Sequence, residues 1–359
     1  MRKMLLNECR LNLRLVIPPT ERLLVIEAER KEQQIKGDKA VQVTRPVRDN
    51  GRLYLPGSSI KGVLRSRAEY IANLLNGQNL GACHLFDPFF DKQQPEDALE
   101  KYRRMACGHR FALRQASAGP DPLTPPQQYR DACPACQLFG HTFGAGRLRV
   151  TDFTPISPEK TFEQSHIAVD RITGGVGEDQ KGKGKLYRNT YVTDTSFQGQ
   201  IVVENFSLWQ LGWLGMLLRD LQDGLLGIGH KQSSGAGQVK VEGATVTLRV
   251  LSVAAPAPDR ILGIGSSLNA PLRDEYGYRE EVGVIDPLRW MRQGIWQEAH
   301  LTDKPLKNLW EALHPFTVAH LSQFAYRAAM TIGYLNQIAP APPPGANSDE
   351  RIEEGADHG

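Results

Sequence analysis

The sequence predicts an α+β fold: a sheet domain over about residues 1–252, interrupted by an insertion at about 76–146, then a helical extension at 259–338 and an acidic tail at 340–359. Three observations carry this reading. Apolar residues recur every second position near both ends of the first 250 residues, the period of a half-buried strand. Between them lie two runs with helical spacing. The stretch at 76–146 has neither period, but holds four of the five cysteines.

Taken in order, Leu11, Leu13 and Leu15 alternate with Asn12 and Arg14 and define a first strand. A second run, Leu23 to Ala28, follows the Pro18-Pro19 break, and residues 29–50 read as a polar loop. After the strand-like Arg52 to Leu55, Pro56-Gly57-Ser58-Ser59 opens a helix carrying Ile60, Val63, Leu64, Ala68, Ile71, Leu74 and Leu75, with serine as its expected cap. Leu148 and Val150 form a short strand, Gln200 to Glu204 another, and Leu208 to Gln222 a helix stopped by Gly224. Val239, Val241, Val246, Leu248 and Val250 alternate again, closing an α+β sheet domain near 250. Beyond the linker Ala254 to Pro258, Asp286-Pro287 reads as a helix start. Trp290, Met291 and Ile295, with Leu309 to Leu321, complete the helical extension. Its Trp290, Trp296, Trp310 and Leu309 form either a docking face or a small core of their own. Pro340 to Gly359 has the composition of a disordered tail.

The chain has 359 residues, 40% of them hydrophobic, which suffices for a large core and excludes wholesale disorder. Its 43 Lys and Arg against 40 Asp and Glu give a net charge of only +3. The last twenty residues hold five acids and one base, so the rest carries 42 bases against 35 acids, net +7. Such a body suits a polyanion without requiring one. The N-terminus is broken by Asn7, Glu8, Arg10 and Arg14 before a signal-like core forms, and no stretch reaches the roughly 18–20 apolar residues of a membrane helix. A cytoplasmic protein with no membrane partner is expected. Five cysteines are too few for a secreted disulfide framework and suit a reducing compartment.

The sharpest chemical motif is Cys133-Pro-Ala-Cys136. Two thiolates three residues apart can face one ion from a tight turn, and two distant ligands complete a tetrahedron. The expected set is Cys83, Cys107, Cys133 and Cys136 holding a structural zinc, with His109 the first substitute and His84 close by. The plainer alternative is two buried cysteines beside a reducible pair. Two glycine-rich segments, Leu55 to Arg65 and Gly227 to Gly237, combine close backbone approach with Ser58, Ser59, Lys61, Arg65, Lys231, Ser233 and Ser234 as donors for phosphate oxygens, and His230 with Lys231 also offers a general base beside an electrostatic helper. Neither is a Walker A loop, which needs its Lys-Ser/Thr directly after G-x4-G. Each taken alone is more often a turn with a cap. His141 and His166 read as satisfied or surface histidines. Tyr54, Tyr187 and Phe197 read as core residues with base stacking as the alternative.

Leu55-Pro-Gly-Ser-Ser-Ile-Lys-Gly-Val-Leu-Arg65, Cys133-Pro-Ala-Cys-Gln-Leu-Phe-Gly140, Val169-Asp-Arg-Ile-Thr-Gly174 and Gly-His-Lys-Gln-Ser-Ser-Gly-Ala-Gly237 occur in the order found in the RAMP superfamily. Together they resemble the guide-RNA-binding backbone subunits of type III CRISPR effector complexes, over about residues 10–250. The resemblance implies a modified ferredoxin-like, RRM-like sheet domain that grips guide-RNA phosphates, with His230 and Lys231 binding phosphate rather than acting as base and helper. It also implies a thumb hairpin at about 170–188, including Arg171, that kinks the guide–target duplex. The implied partners are guide RNA, target RNA and other effector subunits of a ribonucleoprotein complex. It further implies an endoribonuclease in which Asp38, with Mg²⁺ or another divalent ion, promotes attack of a target-RNA 2′-hydroxyl on the adjacent phosphate. A tight alignment back from Pro56 instead places Val43 or Thr44 at that position. Two other readings stand beside this one: an architectural subunit without catalysis, and a free-standing zinc hydrolase using His109 or His84.

Overall fold

The computed structural model describes residues 4–25, 31–36, 39–76, 81–83, 106–108, 111, 123–167, 169–170, 172–175, 186–252 and 256–324. Strand β1 (Asn7–Ile17) is followed by β2 (Lys31–Lys36), β3 (Lys39–Thr44), β4 (Arg48–Asp49), β5 (Arg52–Leu53) and helix α1 (Gly57–Leu75). The insertion contributes α2 (Pro125–Asp131), α3 (Pro134–Phe139) and the short hairpin β6 (Gly140–His141) and β7 (Gly144–Ala145). Then come β8 (Leu148–Val150), β9 (Thr154–Pro155), β10 (Lys160–Ile167), β11 (Leu186–Thr193), β12 (Thr195–Glu204), α4 (Leu208–Gln222) and β13 (Lys240–Leu251). The remaining elements are β14 (Arg260–Leu262), α5 (Ala270–Tyr276), β15 (Val282–Val284), β16 (Met291–Gln293), β17 (Trp296–Thr302) and α6 (Asp303–Gln323).

The main sheet is antiparallel, in the order β16-β17-β13-β1-β12-β8, with β9 also on β12. Its centre is β1, whose Cys9, Leu11, Leu13, Leu15 and Ile17 are buried to 3% exposure or less. The intervening residues face the other side, where Glu8 is buried between Arg10 (2.5 Å) and Arg249 (3.4 Å), and Arg249 reaches Glu298 at 2.7 Å. Helix α4 is apolar on nearly every side because it lies between the sheet and α6. Thr317 of α6 donates to the Trp209 carbonyl at 2.8 Å across that contact. Each such buried Leu or Trp removes apolar surface worth roughly 1.5–3 kcal/mol. The smaller sheet runs β10-β11-β3-β2, with β3 and β11 parallel.

Three sequence expectations are corrected here. The polar loop at 29–50 contains the antiparallel hairpin β2–β3, whose cue was the alternation of Val41 and Val43 with Gln42 and Thr44. The run from Leu23 forms only an isolated bridge to Val192 among the described residues. Most extensively, the segment after 259 is not simply helical. No helix starts at Asp286-Pro287; Met291–Gln293 and Trp296–Thr302 instead make a hairpin about Gly294, and β17 pairs with β13 along Thr245–Leu251. The sheet therefore continues past residue 250, and residues 1–326 form one compact unit. Backbone groups along the β13 edge need partners, and the alternating Trp296, Glu298 and His300 supply a strand to meet them. Helix α6 does cover the expected Leu309 to Leu321. The extension's aromatic residues are used internally: Trp290 donates to the Arg260 carbonyl at 3.0 Å, and Trp296 lies under Arg249 at 5.1 Å.

Candidate functional site

The four cysteines expected to bind metal converge. Cys133 is the N-cap of α3, placed there by Pro134 at the first helical position, and its sulfur accepts from the Cys136 backbone N–H at 3.4 Å. Cys83 and Cys107 approach from the insertion; Cys83 and Cys136 lie 3.5 Å apart, and the Cys133 N–H donates to Cys107 Sγ at 3.3 Å. All four are buried, and their sulfurs lie within 4.8 Å of one another. A tetrahedral zinc with bonds of about 2.3 Å places its sulfurs about 3.8 Å apart, so the donor set fits that ion. Burial above all pushes the Cys133 thiol well up, and Cys136 is pushed up first by its hydrogen bond with Cys107. Bound to a divalent ion the sulfurs would be thiolates, and the two backbone N–H groups already point at them. His84 and His109, the alternative ligands, lie outside the described residues.

Arg65 joins this centre, which its place in a glycine-rich motif did not suggest. Its Nη2 donates to Cys136 Sγ at 3.2 Å, Nη1 to the Gly140 carbonyl at 2.8 Å and Nε to Glu69 at 2.8 Å. The guanidinium is thus turned into the protein, where it ties α1 to the cysteine knot. The start of α1 is likewise occupied from within. Pro56, not a serine, is its N-cap, and the Gly57 N–H donates to the Asp152 carboxylate at 2.8 Å. A Cβ on Gly57 would come within 2.5 Å of the Val150 carbonyl, so glycine here serves close approach to β8. Ser58 is exposed, and Ser59 and Lys61 are half-buried. Burial and the neighbouring Arg65 hold the Lys61 ammonium below its ordinary value.

The second glycine segment faces outward. It is fastened by its backbone: His230 N–H donates to the Leu24 carbonyl at 2.7 Å and Gly237 N–H to the Arg22 carbonyl at 2.8 Å. Gly229, at φ +85°, lies directly against the Leu24 carbonyl and has no room for a side chain. Between these anchors His230, Lys231, Ser233 and Ser234 are all exposed, the serines in a single 3-10 turn. Among the described residues no hydrogen bond or ion pair joins this loop to Ser58, Ser59 or Lys61. Phe197 is fully buried and Tyr54 half-buried. Tyr187 lies on the small sheet beside the loop, its ring 5.0 Å from Lys231 Nζ.

Asp38 and Arg171 lie outside the described residues, as does 176–185 of the segment expected to form a thumb. The described part of that segment makes a tight turn. The exposed Asp170 carboxylate accepts from the backbone N–H groups of Ile172 and Thr173, both at 2.8 Å, and these bonds hold it below the usual carboxylate range. Ile172 is 95% exposed at its apex.

The RAMP superfamily model matches residues 35–240, more than half of the chain, and the protein belongs to that superfamily. A chain of the type III-B Cmr-beta complex, solved by cryo-EM bound to cognate target RNA, is similar at a TM-score of 0.36 and 12% identity. That likeness covers 67% of this chain and 61% of the other, so the protein spans about three fifths of its length. The comparison with curated proteins gave no match.

Proposed function

We propose that this RAMP-superfamily protein is a guide-RNA-binding backbone subunit of a type III CRISPR interference complex. The observation that carries the reading is the outward glycine loop, which holds Lys231, Ser233 and Ser234 on a fixed backbone and leaves them to an external anion. The order β13-β1-β12-β8, with α1 between β1 and β8 and α4 between β12 and β13, supports a ferredoxin-like βαββαβ core. The capped turn that exposes Ile172 supports a thumb at about 170–188 that wedges into the guide–target duplex. In this reading Arg171 and the thumb lysines meet RNA phosphates, and neighbouring effector subunits stack along the same guide.

The zinc is structural. Four buried cysteine ligands leave no open coordination position, which argues against a free-standing zinc hydrolase. Target-RNA cleavage is assigned to Asp38, whose carboxylate with Mg²⁺ would promote 2′-hydroxyl attack on the adjacent phosphate. No helix among the described residues is long and apolar enough to cross a membrane.

The test is reconstitution with repeat-derived guide RNA and the partner subunits. Purified protein is expected to retain guide RNA and to cleave target RNA in Mg²⁺; an absence of guide-RNA affinity overturns the subunit reading. If Asp38→Ala cleaves as well as the natural protein, the catalytic assignment is wrong. If neither protein cleaves although guide RNA binds, the subunit is architectural.

A further inference from the structure

The antiparallel register of β10 and β11 sets Phe162 opposite Tyr191 and His166 opposite Tyr187 on one face of the small sheet. The rings form a continuous strip. Phe162 and Tyr191 stack at 5.6 Å and 26°, and His166 and Tyr187 at 5.2 Å and 13°. The Tyr191 hydroxyl joins the two pairs by a 3.1 Å hydrogen bond with His166 Nε2. Tyr191 is wholly buried against Leu24 and Ala236, which fixes the strip from beneath. His166 and Tyr187 remain partly open to solvent.

Two cations stand over this strip. Arg22 lies 5.3 Å from the Tyr191 ring centre, held by Gln164 at 2.7 Å and by the Ser234 carbonyl. Lys231 lies 5.0 Å from the Tyr187 centre, and its backbone has a left-handed φ of 64°, a conformation a lysine adopts only when its surroundings impose it. Among the described residues no carboxylate pairs with either cation. Their field is also felt by the His166 imidazole, which burial first, and then Lys231 and Arg22, hold below its ordinary value. A flat ring surface beside two positive charges is complementary to one nucleotide, whose base is flat and whose phosphate is anionic.

We propose that His166 and Tyr187 form a stacking seat for one unpaired RNA base at the foot of the thumb segment, with Lys231 and Arg22 holding its phosphate. The seat rests on the RNA-binding reading given above and adds a position that reads the base face. In the free protein the Lys231 ammonium covers the Tyr187 ring. An entering base takes that place, and the flexible stem carries the charge to the phosphate. Stacking accepts any base, so the seat positions a strand without selecting its sequence.

The experiment uses the full chain and a fluorescein-labelled, mixed-sequence single-stranded RNA of about ten nucleotides. Tyr187→Ala is expected to weaken binding about ten-fold and Tyr187→Phe to leave it unchanged, because only the ring is needed. Lys231→Gln should lower the dependence of affinity on salt by about one phosphate contact. If the natural protein binds RNA and Tyr187→Ala binds equally well, the seat is wrong and the RNA-binding reading stands. If the natural protein binds none, both fall. Photo-crosslinking of the unaltered protein to the same RNA carrying 5-iodouridine avoids any folding defect of a variant. Adducts on His166 or Tyr187 are expected, and adducts confined to other elements overturn the proposal.

Discussion

The two glycine-rich segments look alike in sequence and are used in opposite ways. Both combine glycines, serines and basic residues beside a strand. In the first, the Gly57 amide is taken by Asp152 and the Arg65 guanidinium by Glu69, Gly140 and Cys136, so its donors serve the fold. In the second, the backbone is fastened to Leu24 and Arg22 and the Gln232 amide to the Gly227 and Gly229 carbonyls, while His230, Lys231, Ser233 and Ser234 remain exposed. The composition of a loop fixes which groups it can offer, whereas distant residues decide which of them remain for a ligand.

The sharpest way to break this contrast is to remove what the inward segment holds. Cys133→Ser with Cys136→Ser should abolish near-stoichiometric zinc in metal analysis and cost several kcal/mol or more of stability, because structural zinc binding is folding free energy. Retained zinc, or natural protein without it, would contradict the knot. Next in size, Arg65→Ala removes hydrogen bonds to charged or carbonyl acceptors and should cost about 1.5–3 kcal/mol in denaturant unfolding, leaving RNA affinity of the folded protein intact. Lys231→Gln should do the reverse, and equal effects of the two on RNA affinity would erase the distinction. Asp152→Ala takes away the internal anion at the start of α1 and should cost about 1 kcal/mol, as loss of a cap does.

A pH-dependent effect concerns the other internally capped helix. The Glu281 carboxylate accepts from the Leu208 N–H at 2.6 Å at the start of α4, and burial pushes its carboxyl up from 4.5 to about 7 despite that bond. Because the folded value lies above the unfolded one, its contribution to stability is full below pH 4.5 and is lost as pH rises through about 7. Thermal unfolding between pH 5 and 8 should show this slope, and Glu281→Gln should flatten it; an unchanged slope would mean another group titrates.

Period and spacing made much of this legible. Helix α4 occupies Leu208–Gln222 as its apolar run indicates, ended by Gly224 at φ +74°. The cysteine set followed from Cys133-x-x-Cys136 and two upstream thiols, since metal coordination depends on residue type more than on packing. What escaped notice depended on partners far along the chain. Nothing near Arg65 signals a cysteine 71 positions later, and nothing in Trp296–Thr302 declares that β13 has an open edge. The proposed seat at His166 and Tyr187 needs the pairing of β10 with β11, whose partners lie 21 positions apart at that point. Each residue alone therefore reads as an ordinary surface histidine or core tyrosine.

The borders of the main sheet have a further consequence. One is β16, three residues long with all three exposed; the other is shared between β8, of three residues, and β9, of two. Because β16 meets only Trp296–Glu298, Ala299–Thr302 of β17 has no outer strand partner among the described residues; borders this short and interrupted limit edge-to-edge joining. Any neighbour of this protein would then be registered by side-chain surfaces more than by a continued sheet, since among the described residues the main sheet has no long unpaired border.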